Sequence, residues 1–194
     1  MLKKPQADGL VVEKLRIAND VFDSPKYHCR EHSVVYAYSW PSLIEFGTLL
    51  GRSDLAQGAV GENLSLSSLD ESKIYVGDQF QVDEVILEAT SARIPCSKLN
   101  FCFQHKEAQK LFIKHGKPGI YFRVLKSGKI RPQTEMQLIH QQMESPSIQD
   151  FYDIMTKRKS IEAELVKKFL RQKAFPDEFR ESFQDLLGKA LNHN

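Results

Sequence analysis

Short runs of β-branched and aromatic residues, separated by single glycines, constrain the fold of this chain more than any other feature. These runs are residues 10–17, 33–38, 73–76 and 119–125. Across residues 78–89 apolar and polar residues alternate, and the alternation slips at Asp83 and Glu84, which predicts a turn or bulge. Many short strands at this density predict an antiparallel barrel or sandwich, because closure protects the strand edges.

Two helices are predicted to interrupt the strands. The first begins after Ser39 as its N-cap, has Pro41 in its first turn and ends at Gly51. The second runs from about residue 105 to residue 115 and stops at Gly116, a residue typical of the position after a helix.

From Ser147 onward the spacing of apolar residues becomes helical and predicts three short amphipathic helices. Ser147 and Asp150 are expected to cap the first helix, and Pro176 to open the third. The apolar stripes are Ile148, Phe151, Tyr152 and Met155; Ile161, Leu165 and Phe169; and Phe179, Phe183, Leu186, Leu187 and Leu191. We therefore expect a β domain over residues 1–142 and a helical appendage over 146–194, which packs on the β domain or on a second subunit.

Composition excludes several classes of function. The 194 residues carry a formal charge of +2 with acids and bases interspersed, so no clustered basic face predicts nucleic-acid binding. No apolar stretch is long enough to span a membrane, and Met1 is not followed by a signal peptide. The three cysteines form no C-x-x-C pair. These features predict a reduced, cytoplasmic protein without a membrane or nucleic-acid partner.

The segment from Arg93 to Asn100 holds the strongest candidate for chemistry. It places Cys96 after a proline and between Arg93 and Lys98, directly behind a predicted strand. Adjacent cations favour the thiolate, which is the form that ligates soft metals and attacks sulfur. Pro95 interrupts the strand hydrogen bonding, so the loop presents the thiol. An inert thiol is the alternative for Cys96, and for Cys102 a packed thiol is preferred over a resolving one.

Four sequence blocks carry a resemblance to a known family. They are Gly58–Leu64 (GAVGENL), Val76–Phe80 (VGDQF), Arg93–Asn100 (RIPCSKLN) and Gly116–Val124 (GKPGIYFRV). In this order and spacing they resemble the MOSC domain, found in molybdenum-cofactor sulfurases and amidoxime-reducing proteins. The likeness covers roughly residues 10 to 140 and is closest to the small stand-alone bacterial branch. It implies a fold that is mainly β with helices, a MOSC-type β-barrel followed by a small C-terminal three-helix appendage.

The resemblance also implies a function. Family members bind a molybdenum-pterin cofactor, and the cysteine that corresponds to Cys96 ligates the metal. Arg93 is then expected to grip a phosphate or the pterin, Asn63 and Glu62 to line the pocket, and Lys98 to set the local field. Several members reduce N-hydroxylated bases and amidoximes. The implied activity is that of a molybdenum-dependent reductase acting on a small-molecule substrate.

The implied reductase needs electrons from elsewhere. The chain carries no flavin or iron–sulfur motif, so an external redox protein would be the donor. The pyridoxal-phosphate domain of the cofactor sulfurases is absent, so that cofactor is not expected. The sequence leaves the substrate, the donor and the oligomeric state open, a homodimer included.

One segment departs from the family pattern. The family has a Gly-x-x-Gly-Asp…His-Gly-Gly-Pro-Asp-Lys-Ala run, which here retains Asp20 and His28 but loses its glycines and lysine. The replacements are Arg16 and Asn19, Cys29 and Arg30, and His32 and Ser33. Bare glycines let backbone amides approach an anion, and Arg30 restores only one cation. Arg30 and His28 are the residues of this segment that the resemblance implies for cofactor binding. Two alternatives stay open: a carrier or sensor that holds a persulfide or the cofactor, and a degenerate scaffold for another ligand.

The same segment fits H-x-x-E-H, the inverted zinc-protease motif, between His28 and His32. That motif requires a helix, whereas this segment leads into a predicted strand. On a strand the two histidines would lie about 13 Å apart, too far for one metal. We therefore expect loop histidines rather than a zinc site.

Overall fold

The computed structural model describes residues 3, 6–18, 20, 31–158 and 160–192. The strands are β1 (Leu10–Val12), β2 (Val35–Ser39), β3 (Leu64–Leu66), β4 (Gln79–Val82), β5 (Val85–Ala92), β6 (Ile120–Lys126), β7 (Gly128–Ile130) and β8 (Met136–His140). The α-helices are α1 (Trp40–Leu49), α2 (Lys98–Cys102), α3 (Ala108–His115), α4 (Ile148–Met155), α5 (Ala163–Arg171) and α6 (Asp177–Asn192). A 3-10 turn covers Glu31–Ser33.

The strands form a mixed sheet that curves into a half-barrel. Six strands follow the order β3-β2-β6-β5-β4-β8, and β1 pairs with β7 in a second sheet. The expected fold, a MOSC-type β structure followed by C-terminal helices, is confirmed. The expectation that all strands are antiparallel is wrong for β2 and β3, which run parallel. Parallel neighbours need a long crossover, and α1 with the loop behind it provides one.

Strand boundaries follow local signals closely in some places and not in others. The slip at Asp83 is the β4–β5 turn, where Asp83 adopts a φ of +56°. The run 10–17 is shorter than expected, because the Glu13 N–H donates to Arg16 O at 2.8 Å and turns the chain after Val12. The run 73–76 is not a strand; a single bridge joins Tyr75 to Ser147.

The helix ends follow their capping residues. Ser39 Oγ accepts from the Ser42 N–H at 3.4 Å, and Gly116 ends α3 with a φ of +76°. Ser147 and Asp150 form a reciprocal capping box at the start of α4. The second predicted helix near 105–115 begins later, at Ala108, and α2 was not predicted. Ile161 lies before α5 rather than in its stripe.

The described chain contains two clusters of buried apolar side chains. One joins the sheet to the C-terminal helices, which therefore pack on the sheet through Phe151, Phe169 and Phe183. The other lies under α1, α2 and α3 and contains Tyr38 and Phe112. Within the described part of the chain, none of the helices is long and apolar enough to cross a membrane.

Candidate functional site

Arg93 follows the last residue of β5 and turns its side chain onto β2. Its Nη1 donates to Val60 O, and its Cζ lies 5.2 Å from the centre of the Tyr36 ring. In the described chain no carboxylate forms an ion pair with this guanidinium. The cation is therefore held by a carbonyl and an aromatic ring, neither of which neutralises it.

The surroundings of Arg93 fix its protonation state. Burial opposes the charge, but interaction with Tyr36 and Tyr121 raises the pKa of Arg93 above its ordinary value. Burial in turn raises the pKa of both tyrosines, and Arg93 only partly opposes this. Tyr36 and Tyr121 are cross-strand partners with ring centroids 5.0 Å apart. A permanent positive charge thus lies beside two protonated phenols, a setting that favours an anion.

Cys96 is exposed, whereas Pro95 before it is buried. The loop is fixed from both sides: Gln109 Nε2 donates to Pro95 O at 2.9 Å, and the Leu99 N–H donates to Cys96 O at 3.0 Å. The thiol lies close enough to Arg93 and Tyr121 to interact electrostatically with both. The structure therefore brings Cys96 and Arg93 together, with the thiol facing solvent.

Asn63 lies beside Tyr36, and its side-chain amide forms hydrogen bonds within the protein. Its Oδ1 accepts the Tyr36 N–H at 2.9 Å, and its backbone N–H donates to Tyr36 O at 2.7 Å. Its Nδ2 donates to Asp20 Oδ2 at 3.0 Å, and that oxygen also accepts from Lys3 Nζ at 2.7 Å. Asn63 thus orients Tyr36 under Arg93 and ties the N-terminal segment to this edge.

Glu62 is buried beneath its own loop. Its carboxylate accepts the N–H groups of Gly58 at 2.6 Å and Val60 at 3.2 Å, and the Ser65 hydroxyl at 3.1 Å. The amides of this glycine turn are therefore occupied internally by Glu62. The same contacts hold the Val60 carbonyl that receives Arg93.

Of the other predicted site residues, Lys98 is exposed at the start of α2. His28 and Arg30 lie outside the described residues, as do Asn19 and Cys29. The described part of the altered family segment is therefore Arg16, Asp20 and the residues from Glu31 onward. His32 Nε2 lies 2.8 Å from Glu178 Oε1. Among the described residues no group of three His, Cys, Asp or Glu side chains could hold a metal.

A cleft of about 460 Å3 lies where the C-terminal helices meet β6. Its described lining includes His32, Arg123, Lys173 and Phe175. None of the predicted site residues is among its described lining residues.

The sequence did not point to Tyr36, Tyr121 or the Val60 carbonyl. Both tyrosines stand inside predicted strands, where an aromatic residue is ordinary. Their contact depends on β2 pairing with β6, far apart in sequence. The sequence offered only the alternation of residues along each strand, and this alternation does not specify which strands pair.

The residues present fit a soft metal carried on an anionic organic group. An exposed thiol suits the metal, and the uncompensated Arg93 suits the anion. Since Glu62 occupies the loop amides, recognition of an anion here rests on the Arg93 side chain rather than on a backbone nest.

The chain is similar to known proteins in sequence and in structure. The sequence model of the MOSC domain matches residues 24–137. The uncharacterized Bacillus subtilis protein YflK is 30% identical over 129 residues, 66% of this chain and 58% of its own. Escherichia coli YiiM is 30% identical over 149 residues, 71% of this chain and 63% of its own. The matched region thus spans less than two thirds of these curated relatives.

The crystal structure of Escherichia coli YiiM superposes with a TM-score of 0.81 at 22% identity, and covers 100% of this chain and 90% of that one. A Gibberella moniliformis protein named reductase is 40% identical over 74 residues, 38% of this chain and 13% of its own. Because the domain model covers more than half of the sequence, this chain belongs to the MOSC domain family.

Proposed function

We propose that the protein binds a molybdenum-pterin cofactor at Cys96 and Arg93 and reduces N-hydroxylated compounds. The observation that supports this most is the pair itself: an exposed thiol beside a charged guanidinium that no described carboxylate neutralises. MOSC proteins as a family are associated with this cofactor. The short match to a protein named reductase is consistent with the activity.

Each residue has a defined part in the proposal. Cys96 ligates the metal as thiolate, and Arg93 binds an anionic group of the cofactor through its planar fork. Tyr36 and Tyr121 fix the direction of that fork and supply an aromatic wall. Lys98 adds positive charge at the rim.

The cofactor, when bound, supplies the change in metal oxidation state that N–O cleavage requires. The reaction consumes two electrons and two protons and releases the N–H compound and water. No flavin or iron–sulfur motif is present in the sequence, so the electrons come from an external donor. In this proposal the residues of this chain hold the cofactor in position and set the electrostatic field around it.

Turnover with a small-molecule donor tests the proposal. Protein from a molybdenum-replete host is assayed for reduction of an N-hydroxylated purine by reduced viologen, beside Cys96→Ser and Cys102→Ser. We expect activity in the wild type and in Cys102→Ser, and none in Cys96→Ser. Equal activity in the two variants, or molybdenum-loaded wild type without activity, contradicts the proposal. Sulfane sulfur on Cys96 without molybdenum would favour a sulfur carrier.

A further inference from the structure

The segment that carries Cys96 has a charge unlike the rest of the chain. Residues 96–117 contain five lysines, no arginine and a single glutamate. The segment therefore carries more net positive charge than the whole chain, whose formal charge is +2. This concentration is not visible in the overall balance of acids and bases.

The structure places four of these lysines at the surface, on α2, on α3 and in the turn between them. Three of them form a stripe with a spacing of four residues: Lys110 and Lys114 lie one turn apart on α3, and Lys106 lies in the turn before this helix. Lys110 lies 3.4 Å from Glu107, while Lys98, Lys106 and Lys114 make no ion pair among the described residues. We call Lys98, Phe101, Lys106, Lys110 and Lys114 the basic face.

The basic face is physically joined to the thiol loop. Gln109 of α3 donates its Nε2 to Pro95 O at 2.9 Å and its backbone N–H to Asn100 Oδ1 at 2.7 Å. Cys96 follows Pro95 directly, so these two hydrogen bonds connect α3 to the thiol loop. Phe101 on α2 is 86% exposed, five residues beyond Cys96. A molecule bound to the basic face would therefore lie next to the thiol.

We infer that the basic face docks a small acidic electron-carrier protein of the flavodoxin type. This inference rests on the proposed reductase function, which requires electrons from outside the chain. Clustered lysines attract an acidic surface and accelerate encounter, and Phe101 offers an apolar anchor. Electron-transfer complexes are small and transient, which suits a surface of two short helices.

A nucleic acid is the competing ligand for a basic surface with an aromatic residue. Phosphate recognition favours the bidentate fork of arginine, and residues 96–117 contain none. We therefore favour the acidic protein.

Charge reversal away from the site tests the inference. The variant K106E/K110E/K114E reverses the stripe, and K126E/K168E/K189E reverses three exposed lysines elsewhere with the same change in net charge. With reduced flavodoxin as donor at low ionic strength, we expect KM for flavodoxin to rise at least about tenfold in the first variant only. With reduced viologen both variants should keep the wild-type rate. Added salt should raise KM for flavodoxin in the wild type, where it screens attraction, and should lower it in the first variant, where it screens repulsion.

A binding titration with oxidised flavodoxin separates this inference from the proposed function, because it needs no turnover. Binding by the wild type that is lost in K106E/K110E/K114E and kept in K126E/K168E/K189E supports docking even if no reductase activity is found. Equal binding by the two variants overturns it, as does a viologen rate that falls with the flavodoxin rate. Binding of single-stranded DNA in place of flavodoxin also overturns it.

Discussion

Arg93 and Tyr36 form a cation–π pair, with the guanidinium carbon 5.2 Å from the ring centre. The arginine follows β5 and the tyrosine belongs to β2, so the pair depends on the folded sheet. Stacking positions a cation without cancelling its charge, whereas an ion pair would cancel it. The contact thus explains how a half-buried guanidinium stays available to an anionic ligand.

Removing the Arg93 side chain should weaken the fold as well as the site. In Arg93→Ala the Val60 carbonyl loses its donor, and we expect a loss of about 1–3 kcal/mol in the free energy of unfolding, measured in urea. Arg52→Ala is the matched control, since Arg52 forms an exposed pair with Asp54; it should stay within about 0.5 kcal/mol of the wild type. Equal losses in both variants would show that Arg93 is not anchored as described.

The carboxylate of Glu62 should be needed for the loop that receives Arg93. Glu62→Gln sets an NH2 group against one of the donors it now serves, so we expect about 1–3 kcal/mol of destabilisation. Ser65→Ala removes only one contact to the same carboxylate and should cost less. Chemical denaturation gives the free energy of unfolding of each variant. An unchanged value for Glu62→Gln would contradict the hydrogen bonds described between Glu62 and its loop.

Cys96 should react with iodoacetamide faster than Cys102 in the cofactor-free protein. Cys96 is exposed beside Arg93 and Lys98, whereas Cys102 is half-buried against the cluster under α1 and α3. Mass spectrometry of peptides during the reaction at neutral pH gives the two rates. Faster labelling of Cys102 would mean that the loop does not present Cys96 as described.

Glu71 should make stability depend on pH. Its Oε1 accepts the Gly119 N–H at 2.9 Å, its Oε2 is buried without a described hydrogen-bond partner, and burial raises the pKa of its carboxyl above the ordinary 4.5. Between the ordinary pKa of 4.5 and the raised pKa, the native state keeps a proton that the unfolded state has lost. The free energy of unfolding therefore falls as the pH rises through this range. Glu71→Gln should flatten that fall in melting temperature. Parallel pH curves for the two proteins would contradict this origin.

Replacing Phe151 tests whether the C-terminal helices unfold together with the sheet. Its ring lies 6.2 Å from that of Phe169 and 5.9 Å from that of Phe183, inside the cluster that also holds the sheet. Phe151→Ala should cost about 3–5 kcal/mol and move a single unfolding transition. Two transitions, with only one affected, would instead favour the predicted division into residues 1–142 and 146–194 as separate folding units.

The features that the sequence predicted correctly depend on interactions between residues close together in the chain. The Ser147–Asp150 capping box, Gly116 after α3 and the turn at Asp83 are each decided within a few residues. Ile161 was misplaced because its spacing fits a helical stripe while the chain enters the helix only at Ala163. Periodicity does not specify where a helix begins.

The site was predictable in part. The Cys96 and Arg93 segment and the Glu62–Asn63 turn were recognised, and the structure brings Arg93, Asn63 and Tyr36 into contact. That Asn63 binds the backbone of Tyr36 could not be read from its position, because this contact depends on β2 lying beside β3 in parallel. Contacts between distant segments are set by strand pairing, on which sequence period is silent.

The molybdenum and pterin content of protein purified from a molybdenum-replete host tests the central claim most directly. The account predicts molybdenum with pterin fluorescence in the wild type and in Cys102→Ser, and loss of the metal in Cys96→Ser, which should melt at the same temperature as cofactor-free wild type. A wild type that carries neither under conditions that load an intact MOSC protein, or a Cys96→Ser variant that retains as much molybdenum as the wild type, would contradict it.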